Sequence, residues 1–68
     1  MNERLRLINE NLLYILGTKE YVTRWWTTSN FHFKLRCPQE LWDSGPQGQE
    51  EIEEYVNQNV ESAYRNQP

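Results

Sequence analysis

In the 68-residue chain, His32 and Cys37 invite a Cys–His catalytic reading. A cysteine at the start of a helix can have a lowered pKa, and a nearby histidine could take its proton. No surrounding motif supplies an oxyanion hole or a group to orient the imidazole. The plainer reading is a small buried thiol ahead of a helix and a solvent-facing loop histidine. One histidine and one cysteine do not make a structural zinc site by themselves, because zinc takes four ligands. The expectation is a chain without catalytic residues, metal or cofactor.

Binding chemistry is better represented. Phe31-His32-Phe33-Lys34-Leu35-Arg36 interleaves aromatic and basic residues, with Arg24 upstream. Single-strand nucleic-acid binders use that combination to stack bases and hold phosphates. The same aromatics are also candidates to seal a small core, and an internal plug of Phe31, Phe33 and Leu35 is the expected use. Charge argues against nucleic acid as well. Residues 1–36 carry a net charge of +3 and residues 37–68 a net charge of −6. The acidic half would repel a phosphate backbone and would suit a protein partner with a basic patch. The partner-facing set is therefore Glu50, Glu53, Glu54 and Glu61, with Tyr64 and Arg65 in the tail. A solvated face that only maintains solubility is the plain alternative. Leu7 and Tyr14 lie one seven-residue step apart, opposite the main apolar stripe of their helix. They mark a second buried face, a self-contact or a docked partner, with a homodimer through it as the expectation.

The elements that must position these residues follow from periodicity. Leu5, Ile8, Leu12, Ile15 and Leu16 recur at spacings of three and four, which predicts a helix over residues 3–16. Gly17 ends it and Thr18 caps a second helix to about Thr28, with Tyr21, Val22, Trp25 and Trp26 as its apolar stripe. One tryptophan is expected to stay partly exposed. Alternation over Phe31–Arg36 reads as extended backbone, but a lone strand has no partner here, so a loop is expected. Cys37-Pro38 starts a short third helix carrying Leu41 and Trp42. Gly45-Pro46 starts a fourth, running to about Tyr64. Ile52, Tyr55, Val56, Val60, Ala63 and Tyr64 share its inner face, and Asn59 within that face is expected to bond to a loop backbone. Gln67-Pro68 should fray. The predicted architecture is all-α, a small bundle of about four helices with one extended aromatic-bearing loop, forming a single domain over residues 1–68.

Composition sets the outer bounds. Hydrophobic residues make up 37% of the chain, enough for a small core only because nine of them are aromatic. A domain this short buries only about 60% of its unfolded surface, which favours a partner or an oligomer. It also leaves little chain for a cleft, so an enzyme is not expected. No apolar run approaches a membrane span. Met1-Asn2-Glu3-Arg4 does not follow a signal peptide's charged-then-apolar order. A single cysteine fits a reducing cytosol, and a cytoplasmic location is expected.

Beyond these patterns, Leu16-Gly17 is followed by Trp25-Trp26-Thr27-Thr28-Ser29-Asn30, Phe33, Pro38, Leu41-Trp42, Ser44, Gly48 and Ile52. This order resembles the C-terminal toxin-binding domain of the Xre/MbcA/ParS type of bacterial antitoxins, over about residues 5–64. The spacings from Trp25 to Asn30, Asn30 to Pro38 and Gly48 to Ile52 agree with that family. Ser29 stands where the family has proline, and one extra residue, most simply Gly45, lies between Pro38 and Gly48. Lys34-Leu35 replace its glycine pair, which predicts a different turn. The resemblance implies neutralisation of RES-type toxins, which consume NAD or transfer ADP-ribose from it. It implies occlusion of the toxin's active site by the C-terminal region. The family usually carries an upstream helix-turn-helix domain, for which this chain has no room, so it reads as a stand-alone toxin-binding domain, a divergent relative or a protein repurposed for another partner. The alternative is a small regulatory or adaptor protein that binds another protein partner.

Overall fold

Helix signals and helix ends coincide in the computed structural model, which describes residues 3–66. The fraying expected of Gln67 and Pro68 lies outside them. The order is α1 (Glu3–Leu16), α2 (Lys19–Thr27), a one-turn 3-10 helix (Phe31–Phe33), α3 (Pro38–Asp43) and α4 (Pro46–Arg65). The described residues form no strand. The fold is all-α, as the periodicity predicts.

Local chemistry sets each boundary. Gly17 takes a φ of +93°, and its N–H closes α1 on the carbonyl of Leu13 at 2.8 Å. Thr18 is extended, and its Oγ1 accepts from the N–H of Tyr21 at 3.2 Å, which caps α2. At the far end, Thr28 Oγ1 donates to the carbonyl of Arg24 at 2.7 Å. Pro38 forces Cys37 into the extended region and begins α3 at a position where no N–H is needed. Gly45 (φ +129°) and Pro46 restart the chain as α4.

The long helix α4 packs against α1 on one side and α3 on the other, while α2 bridges α1 and α3. Ile8 and Leu12 from α1, Trp26 from α2, Leu41 and Trp42 from α3, and Ile52 and Val56 from α4 meet in the core with Phe33. Ile52 and Val56 are fully buried. Rings dominate the packing: Trp26 meets Trp42 edge-on at 6.1 Å, and Trp25 stacks on Tyr55 at 6.2 Å. Trp25 is the partly exposed tryptophan. The indole N–H of Trp26 donates to Asn9 Oδ1 at 2.7 Å, so the buried ring keeps a polar partner. Asn59 does not reach a loop. Its amide donates to the carbonyl of Tyr55, one turn back on its own helix, at 2.8 Å.

Two departures concern the candidate site. The Phe31–Arg36 segment is not an extended plug. Phe33 is buried, but Phe31 is 89% and Leu35 67% exposed. Alternate residues share a face only on extended backbone, and here a 3-10 turn rotates successive side chains by about 120°. The second departure is Glu53, expected on the outer acidic face. It is half-buried and ion-paired with Arg4 of α1. Arg4 also donates to Gln49 Oε1 at 3.2 Å and lies over the Trp42 ring. One arginine thus ties the start of α1 to α3 and α4.

Candidate functional site

Asn30 organises the most unusual piece of backbone in the molecule. Its Oδ1 accepts from the N–H of His32 at 2.9 Å, an Asx turn that starts the 3-10 helix. Its carbonyl accepts from Phe33 and Leu35, each at 3.0 Å, and its own N–H donates to Arg36 O at 3.1 Å. The seven residues close on themselves. Closure requires Lys34 and Leu35 to adopt positive φ, +56° and +66°. Left-handed backbone costs a residue with a Cβ roughly 1–2 kcal/mol. Two consecutive residues that carry a Cβ thus take backbone that glycine adopts freely.

This strained turn forms one wall of a cavity of about 510 Å³, and α4 forms the opposite wall. Phe33, Leu41 and Tyr55 supply apolar lining. His32 lies on the rim with its ring 4.5 Å from that of Tyr55 and 5.2 Å from that of Phe33. Lys34 and Arg36 line the turn side, and Glu51 and Glu54 the helix side. None of these four charges makes an ion pair among the described residues. Glu51 and Gln58 were not singled out from sequence. Their helical spacing from Glu54 and Tyr55 was the available signal.

His32 and Cys37 have different neighbours. His32 packs on α4, whereas Cys37 Sγ donates to the carbonyl of Thr27 at the end of α2, at 3.5 Å. Partial burial pushes the Cys37 thiol pKa up, and the neighbouring Glu40 carboxylate adds to the shift. Both effects disfavour the thiolate, the opposite of what a nucleophile needs. Alkylation by iodoacetamide between pH 7 and 9 should therefore run more slowly than for a free cysteine, with its midpoint displaced to higher pH. A midpoint below that of free cysteine would reopen the nucleophile reading. The described residues hold no cluster of three His, Cys, Asp or Glu side chains that could bind a metal.

The acidic set divides. Glu50, Glu54 and Glu61 are exposed along α4, and Glu54 accepts only a long bond from Gln58 at 3.4 Å. Glu53 is committed to Arg4. Arg65 is exposed in the last turn. Tyr64 is 64% exposed, but its ring stacks on Tyr14 at 5.3 Å. That contact places Tyr14 at the flank of α1 beside α4 instead of opposite the core, and turns part of the expected self-association face to joining α1 and α4. Leu7 remains 48% exposed.

Fold and surface together define a small all-α domain that presents an apolar, charged turn and an acidic helix. No family model, curated protein or solved structure matches the chain. Among the described residues, no helix is long and apolar enough to cross a membrane.

Proposed function

We propose that this chain is a non-catalytic protein-binding domain of the antitoxin kind, which neutralises a RES-type, NAD-consuming toxin. The observation that carries the reading is the left-handed backbone of Lys34 and Leu35. Glycine takes such backbone without strain, and the resemblance aligns these two residues with a glycine pair. The exposed acidic residues of α4 fit the same reading. A toxin site that holds the pyrophosphate of NAD is basic, and Glu54 and Glu61 provide the opposite charge. Occlusion then falls to the C-terminal end of α4.

Co-expression with a RES-type toxin is the direct test. The chain should copurify with the toxin and preserve cellular NAD. Free toxin and undiminished NAD loss would overturn the reading. Within a complex, Glu54→Lys with Glu61→Lys should leave the fold intact, since exposed charges contribute little to stability. Association should slow by roughly tenfold and lose salt dependence, because steering follows the charge product. Truncation after Tyr64 keeps the Tyr14–Tyr64 stack and should lower inhibition more than binding. Unchanged kinetics and inhibition in both variants would assign the acidic face to solubility.

A further inference from the structure

We propose that two copies of this chain pair face to face across the cavity between the Asn30–Arg36 turn and α4. The contact would be isologous, the same surface on each copy.

Charge is arranged across the cavity mouth in a way that makes it self-complementary. Lys34 and Arg36 lie on one side, Glu51 and Glu54 on the other. A two-fold axis in the contact plane, running along the groove, exchanges the two sides. It sets the basic side of each copy over the acidic side of the other. Among the described residues of one chain these charges form no ion pair, with the cavity between them. Across the two-fold, each finds an opposite charge. Like charges would face each other in a rotated or parallel docking, so the pattern also selects the orientation.

Apolar area gives the contact something to bury. Phe31 is 89% exposed and Leu35 67%. Closure of the turn through left-handed Lys34 and Leu35 leaves both side chains outside the core. Phe31 and Leu35 belong to the same turn as Lys34 and Arg36 but lie outside the cavity lining, so in the pair they flank the charged contact, which has Tyr55 on the α4 wall. An exposed aromatic residue that becomes buried in a contact commonly carries a large share of its energy. The area on offer is small, so dissociation in the tens-of-micromolar range is expected, roughly the weak end for specific interfaces.

Sedimentation equilibrium of the whole chain from 10 μM to 1 mM tests the proposal, with circular dichroism to verify folding of each variant. The wild type should dimerise, and more weakly in 0.5 M salt. Phe31→Ser should weaken dimerisation by roughly tenfold or more. Arg36→Glu and Glu54→Arg should each weaken it, because each places like charges opposite. The double variant Arg36→Glu/Glu54→Arg should recover, since reversing both sides restores the match. A wild type that stays monomeric at 1 mM overturns the proposal. So does a dimer indifferent to Phe31→Ser and both reversals, or one that Leu7→Glu alone disrupts. Failure of the double variant to recover would equally exclude the two-fold pairing. None of these readouts involves a toxin, so they stand or fall apart from the antitoxin reading.

Discussion

Gly48→Ala should destabilise the domain by about 1–3 kcal/mol, the cost of overpacking a tight contact. Gly48 sits buried in the first turn of α4, where that helix crosses α3. A Cβ there would lie 2.0 Å from the carbonyl oxygen of Leu41 and 2.7 Å from Ser44 Oγ. The first neighbour is backbone and cannot swing aside. The second is itself bonded to Leu41 O at 2.6 Å, at the end of α3. Helix propensity pushes the other way, since alanine in an open helix gains about 1 kcal/mol over glycine. The clash should prevail, because relieving it means moving α3 off α4 and opening the contact around Leu41 and Ile52. A domain of this size has roughly 3–10 kcal/mol in total. A thermal midpoint lower by on the order of 10 °C is therefore expected. An unchanged or higher midpoint would show that α3 and α4 separate freely.

Ile52→Ala should cost more, about 3 kcal/mol, from lost transfer energy and the cavity left behind. Ile52 is fully buried, and it is one of only eight large buried apolar side chains in the described core. So thin a core has little material with which to fill the gap. Urea denaturation measures the loss. The informative control is Phe31→Ala. Read from sequence as a core plug, Phe31 should be as costly to remove as a buried aromatic, about 3–5 kcal/mol. In the structure it is 89% exposed, and its removal should change stability by no more than about 0.5 kcal/mol. Equal losses at Ile52 and Phe31 would contradict the burial pattern on which the proposed self-contact depends.

Helices were legible because their signals are local. The three-and-four spacing of Leu5, Ile8 and Leu12 needs no knowledge of what lies opposite. Gly17, Thr18, Pro38 and Pro46 act on the backbone within one turn, and each does so where expected. The composition of α4, acidic outside and apolar inside, was equally readable for Glu54 and Ile52.

Charge partners were not legible. Glu53 looks like Glu50 and Glu54 in sequence, yet Arg4 lies 49 positions away and captures only that one. Tyr14 and Tyr64 each looked free for a partner, and the crossing of α1 and α4 brings them together. Asn9 had no visible role until the indole of Trp26 arrived beside it.

Residues 30–36 show the division most sharply. By itself the sequence determined that an aromatic and basic segment joins two helices, and that Asn30 is suited to start a turn. The direction each side chain takes was left to tertiary structure. Alternation implies a shared face only if the backbone is extended. Whether it is extended depends on Asn30 meeting the amides of His32, Phe33 and Leu35, and on Phe33 finding the space between Trp25 and Tyr55. Once Phe33 is seated, closure of the turn drives Lys34 and Leu35 left-handed and leaves Phe31 and Leu35 outside. Periodicity is a property of one element, whereas burial belongs to the elements that meet.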